Sequence, residues 1–508
     1  MRSAEHTTRP SLVNATTFFL LFGAHIALIW VLPYFPSQDG PSHMYNLVIL
    51  RDLLHGGSVW GSDFTYHLRL VPNLAFYLTA YPLLTVFSPL IGERIFLSFY
   101  TVLLAGGVFF LLQTFKRPIF PYAYLALPTI FNFNVLMGFY SYVLTVPLFL
   151  FAFSIAWRLR RRSLPLRLTF MNVAGAALFY LHIIPFAFFV MSMAAMAFAG
   201  KGSLRAALKQ TMLQLCGLLP VMLLSAAYFL SPQAGHRTNW AELFDIPGMI
   251  RLAAEMTAFS SVTLSRWQLL PASFFMLVVG VTAYSSFKEI LGPARCSESE
   301  QERTLVVLLA MLIVVYLAAP FHFGGGSFFN QRFPWVLLLL LLPLLRVPPV
   351  LERYGSPVAA GLAIAFFAVN GPLLWQQSDR VAQFNAGLGR GPGQGNYVMA
   401  YRERPPSWTS VDPLLHVASY YGIIDRCVDI GNYEVDYDYF FIHIAPGRSP
   451  FPDRDTISYD PQKIDFGRYP DLSYILEWRP GSKAGNRLSP FYEAKWHGDK
   501  ITVWKRVR

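Results

Sequence analysis

The chain has 508 residues, 54% of them apolar and only 14% charged, against roughly 25% charged in an ordinary soluble domain. This composition excludes a soluble globular protein. The net charge of +12 does not indicate nucleic acid either, because the Lys and Arg residues sit in short clusters beside apolar runs, a pattern of membrane topology. Cys216, Cys296 and Cys427 show neither CxxC nor metal spacing, so no disulfide framework or zinc site is indicated.

In chain order, the first apolar run covers 12–34. Two arginines precede it without a clear small-residue cleavage signal, so it reads as a retained first span. Further candidate spans are 92–114, 118–134, 142–157, 168–181, 186–200, 210–230, 268–287, 304–320, 334–346 and 357–375. The expected fold is therefore an α-helical polytopic membrane protein of about 11 transmembrane helices. The stretch "VPNLAFYLTAYPLLTVFSPLIG" (71–92) is apolar but carries Pro82 and Pro89. It either spans or lies along the interface, and charge decides between the two. With 71–92 lying flat outside and the N-terminus in the cytoplasm, 17 Lys and Arg fall inside and seven fall in the outer loops before 377. If 71–92 spanned, the later clusters would move to the wrong side.

This orientation makes 1–376 a membrane module with a long first outer loop, 35–91, and makes 377–508 an outer C-terminal domain. In a bacterium the outer side is the periplasmic face of the inner membrane. The tail opens with "NAGLGRGPGQGNY" (385–397), which lacks the Gly-Lys-Ser/Thr ending of a phosphate loop and reads as a flexible linker or lid. Beyond it, "DYFFIHIA", "LSYILEW" and "DKITVWKRV" read as short strands of a small mixed α/β domain.

The residues suited to chemistry lie on the outer side. Asp39 stands just past the first span in "SQDGPSH", where Gly40 and Pro41 make a sharp turn into a helix. Either Asp39 or Ser42 caps that helix, or Asp39 is a desolvated carboxylate able to take a proton. His43, four residues on, can hydrogen-bond a phosphate or orient the carboxylate. His182 sits in the tight "LHIIP" turn, where it either faces a ligand or is satisfied by backbone. Arg332 ends "GGGSFFNQR", where an arginine either forks onto a phosphate or snorkels to headgroups. In the loop 231–267, His236, Arg237, Arg251 and Arg266 can assist or contact anionic lipid.

A first span, an outer loop opening with "QDGPSHMYN", an amphipathic helix, an apolar interfacial helix and many further spans together resemble the glycosyltransferase C superfamily. The comparison is with its protein O-mannosyltransferases and lipid A aminoarabinose transferases. The resemblance covers the layout of 12–230 and is loose beyond it. It implies an integral membrane glycosyltransferase with a polyprenyl-phosphate-linked sugar as donor and a lipid, glycan or protein as acceptor. Asp39 would be the base or substrate anchor with His43 beside it, and His182, Arg332 and Arg237 would meet the donor phosphate. Relatives often carry a second acid after the third span. Here "NFNVLMGFYSY" offers only Asn132, Asn134, Tyr140 and Tyr142, so chemistry without a metal is expected and no cofactor is implied. The competing reading is a polytopic transporter or flippase with Asp39 and Arg332 lining its path. No internal repeat supports it, and the charges gather outside rather than at midplane.

Overall fold

The structure is a computed structural model that describes residues 12–57, 59–199, 204–230, 245, 247–250, 268–291, 300–323, 326–347, 352–402, 411–437, 439–447, 451–479 and 482–507. Its apolar runs form helices because a bilayer offers backbone groups no other partners. Among the described residues, seven helices are long and apolar enough to cross: α1 (Leu12–Val31), α4 (Pro89–Thr114), α7 (Tyr140–Leu159), α8 (Leu164–Leu181), α12 (Leu269–Leu291), α13 (Glu300–Ala318) and α15 (Glu352–Phe384). The other four expected spans coincide with shorter apolar helical stretches, at 122–137, 183–198, 219–230 and 330–344. Two of these four differ from the sequence reading. The stretch 118–134 is not one rod but α5 (Tyr122–Ala126), a tight turn at Leu127–Thr129 and α6 (Phe133–Met137). Pro128 removes a helical donor, and the Asn132 side chain accepts from Asn134 N at 2.8 Å to start α6 afresh. Likewise 210–230 is divided into α10 (Leu204–Gly217) and α11 (Leu219–Leu230), with Pro220 at the joint.

Between α1 and α4 lie α2 (Gly40–Leu54), strand β1 (Phe64–Tyr66) and α3 (Ala75–Leu84). The ten residues of α3 rise about 15 Å, half of a hydrocarbon core, so 71–92 does not span. Its Ala75, Phe76, Tyr77, Ala80 and Leu84 face the protein, while Leu78 is exposed.

The last membrane helix, α15, continues to Phe384 and so runs past the expected boundary at 377. A mixed five-stranded sheet follows in the order β3 (Val428–Asp429), β2 (Tyr397–Tyr401), β5 (Tyr474–Trp478), β7 (Ile501–Arg506), β6 (Tyr492–His497). β2 runs parallel to both of its neighbours, and the other pairs are antiparallel. Strand β4 (Ile442–Ile444) leaves this sheet and pairs antiparallel with β1 of the first loop, Phe64 opposite Ile444. The two regions are thus stitched by backbone hydrogen bonds. The glycine-rich segment, expected as a flexible linker or lid, is packed at Gly387 and Gly391 and exposed at Gly389, Gly393 and Gly395. A Cβ on Gly387 would come within 2.8 Å of the Tyr421 hydroxyl, and one on Gly391 within 2.7 Å of Val503 Cγ1.

One crossing of backbones fixes the start of α2. Gln38 N donates to Leu136 O at 2.8 Å and Asp39 N to Met137 O at 3.0 Å, pressing the turn onto the end of α6. Gly138 closes α6 with φ +86°, and a Cβ there would meet Gly40 N at 2.6 Å. Replacing Gly138 by Ala is expected to cost at least about 1–2 kcal/mol from the left-handed backbone alone, with the clash added. Gly56→Ala, also at positive φ (+71°) but with nothing within 4 Å, should cost only the backbone part. Thermal melting of the two purified variants compares them, and equal losses would refute the close crossing.

Candidate functional site

The turn delivers Asp39 as the residue before α2, with φ −96° and ψ −13°, and its carboxylate makes no capping bond to the helix. Ser42 does not cap either, because its hydroxyl donates to Asn432 Oδ1 at 3.2 Å. The Asp39 carboxylate instead lies buried against a cavity, with Gln38 Nε2 donating to Oδ1 at 3.3 Å and His416 Nε2 3.6 Å away. Burial pushes this carboxyl up to about 6, and the neighbouring His43 charge and the Gln38 bond only partly oppose it.

Four residues along, His43 places Nδ1 2.7 Å from Glu434 Oε1. Burial by itself would lower the imidazole. The charge and hydrogen bond of Glu434 outweigh it, Asp39 adds to the effect, and the ring is held above its ordinary 6.5. Burial pushes the other flanking histidine, His416, down to about 3, with Arg402 and His43 helping, so it is neutral and its approach to Asp39 is not an ion pair.

His182 stands where α8 ends and α9 (Ile183–Phe198) begins, in extended backbone (φ −169°, ψ 128°), with Nδ1 accepting from Ile184 N at 3.2 Å. The backbone therefore satisfies one ring nitrogen, the proton resides on Nε2, and the ring faces the cavity. Arg332 ends a tight turn, Asn330–Arg332, before α14 (Phe333–Leu341), and its carbonyl accepts the Tyr142 hydroxyl at 2.5 Å. Its guanidinium carbon lies 4.3 Å from the Phe139 ring centre and 5.6 Å from that of Tyr142. Among the described residues no carboxylate pairs with it, and its buried Nε has no acceptor.

Asp39, His43, His182 and Arg332 line one cavity of about 700 Å³. The wall contributed by residues before 377 is rich in aromatic side chains, with Phe139, Tyr228, Phe229, Phe323 and Phe329, while the C-terminal region supplies His416, Tyr433, Tyr437, Tyr439 and Asp455. Arg237, named with these four from the sequence, lies outside the described residues, as do His236, Arg251 and Arg266. At the start of α7, Tyr140 donates to Glu93 Oε1 at 2.5 Å and lies 2.9 Å from Ser37 Oγ, so the carboxylate near the turn after α6 comes from α4. No three His, Cys, Asp or Glu among the described residues converge to hold a metal ion. Sequence reasoning missed Glu434 and His416. Both come from the tail, and the only local hint is acids set among aromatics in "GNYEVDYDYF".

No family model matches the sequence, and no curated protein does. By structure, the chain is similar to ArnT from Cupriavidus metallidurans, crystallised in the apo state, with a TM-score of 0.51 at 12% identity over 97% of this chain and 98% of that one. A cryo-EM structure of the arabinofuranosyltransferase AftD from Mycobacteria aligns over 96% of this chain and 41% of its own, with a TM-score of 0.44 at 13% identity. At such identities the likeness is one of fold.

Proposed function

We propose that this multi-pass membrane chain, whose fold is that of the glycosyltransferase C superfamily, transfers a sugar from a polyprenyl-phosphate donor to an acceptor hydroxyl in the cavity holding Asp39 and Arg332. One observation carries this reading. A buried carboxylate that caps nothing and a guanidinium that no carboxylate among the described residues pairs line the same cavity, beneath an aromatic wall suited to a lipid chain.

The donor enters sideways from the membrane, with its isoprenoid chain against the aromatic wall. Arg332 forks onto the phosphate, and the Nε2–H of His182 donates to it, so charge building on the leaving oxygen meets donors already in place. Asp39 accepts the acceptor's hydroxyl proton as that oxygen attacks the anomeric carbon. The bond from the anomeric carbon to the phosphate oxygen breaks and its electron pair leaves with the lipid phosphate. A single displacement of this kind inverts the anomeric configuration. The cavity faces the periplasm in this reading, with the N-terminus cytoplasmic and 377–508 outside, a compartment without nucleotide sugars.

Since the base must be ionised, transfer is expected to fall below about pH 6, tenfold per unit further down. Membranes supplied with radiolabelled polyprenyl-phosphate sugar measure both points at once. Uptake or flipping of the lipid with no glycosyl transfer at any pH would overturn the reading in favour of transport.

A further inference from the structure

One of the buried carboxylates that the mechanism leaves unused is bonded to a histidine of the site. Glu434 is fully shielded from solvent, in the tight turn Tyr433–Asp436 of the C-terminal region. Both of its oxygens are spent on the first loop: Oε1 on His43 Nδ1 at 2.7 Å, and Oε2 on the Tyr77 hydroxyl at 3.3 Å. The turn itself is clamped to α2. Asn432 Oδ1 accepts from Glu434 N at 3.3 Å, Asn46 Nδ2 at 2.9 Å and Ser42 Oγ at 3.2 Å, and Asn432 Nδ2 donates to Asn46 Oδ1 at 2.9 Å. Ser42, His43 and Asn46 lie close together on α2, so three neighbouring contacts fix where the acid sits.

His43 lies among rings: Phe76, Tyr140 and Phe440 have centres 5.8–5.9 Å from its own. The titratable groups facing it are Asp39 from its own helix, Glu93 from α4, Tyr140 from α7, and Glu434 and His416 from the C-terminal region. Among the described residues only Glu434 bonds to the ring through a carboxylate, and the nearby Gly138 carbonyl also favours the protonated ring. The Glu434 carboxylate thus holds the imidazole as a cation.

We infer that Glu434 is a positioning residue: through its bond to His43 it fixes a buried imidazolium beside Asp39, and it is this imidazolium, not the negative charge of Glu434 itself, that keeps the base ionised. Glu434 touches no substrate and acts only through His43. This rests on the glycosyl-transfer reading for its consequence, but not for its physics.

Five full-length proteins test it: wild type, Glu434→Gln, His43→Gln, the double variant and Glu434→Asp. Glu434→Gln keeps shape and bonding capacity while removing the charge. It should move the acid-side midpoint of transfer up by about one unit, which means roughly fivefold slower transfer at pH 6 and less than twofold at pH 8. His43→Gln should displace the midpoint further, because the unpaired Glu434 charge then opposes ionisation of Asp39, and the double variant should return to the Glu434→Gln value. Glu434→Asp should reverse part of the Glu434→Gln displacement. Loss of rate by one factor at every pH, tracking a lowered melting temperature, would reduce Glu434 to a stitch between regions and overturn the inference. A second measurement is independent of activity. Histidine-labelled NMR, with the His43 signal assigned by its loss in His43→Gln, should show the ring protonated at pH 7 in wild type and neutral in Glu434→Gln. Identical titrations in the two would also overturn it. Absence of transfer in every variant would count against the functional reading alone, while the histidine titration still decides the role of Glu434.

Discussion

Asp39→Asn is expected to abolish transfer, by a factor on the order of 10²–10⁴, the range that a positioned general base supplies. The substitution changes one atom and leaves the turn intact, because the carboxylate makes no cap and the segment is held by backbone bonds to Leu136 and Met137. Stability should not fall. The folded carboxyl is raised to about 6, above its unfolded value, so at neutral pH burying the ionised form works against folding, and the amide removes that cost. Transfer and thermal melting are measured on the same preparation. A variant that melts normally and keeps a tenth of the rate would show that the base lies elsewhere.

Arg332→Ala is expected to be the next most damaging change, at roughly 10²–10³ in kcat, the usual loss when one preorganised charge-stabilising group is removed. In this cavity its guanidinium faces no carboxylate competitor among the described residues and is braced on Phe139. Arg332→Lys keeps the charge but not the planar fork, so it should recover binding better than turnover. Separate determination of kcat and the donor KM distinguishes the cases. If both stay within twofold of wild type in Arg332→Ala, the phosphate is held by other groups.

Much of this arrangement is legible in the sequence because it is local. Apolar runs place all eleven expected segments, and the lysine and arginine clusters keep 71–92 from being read as a span, in accord with a helix of only ten residues there. "DGP" marks the turn at Asp39, and "LHIIP" and "NQRFP" mark polar residues at helix starts facing the same side. What the sequence hides is non-local. His43 and Glu434 stand 391 positions apart, and a hydrogen bond across that distance leaves no periodicity to read. "FFIHI" reads as a strand, but nothing in it says that its partner is Phe64–Tyr66 rather than a neighbour in the tail. The glycines of 385–397 read as freedom of the backbone. In the folded chain Gly387 and Gly391 mark close approach instead, because any side chain there would strike Tyr421 or Val503.

The bond between His43 and Glu434 also has a consequence in time. A ribosome adding roughly 5–20 residues per second needs about 20–80 s to cover the 391 positions between the two. For that interval the first loop stands in the membrane without Glu434, and without the strand that completes its sheet. A chain released early, or cut before the tail, is left with that part of the site unbuilt.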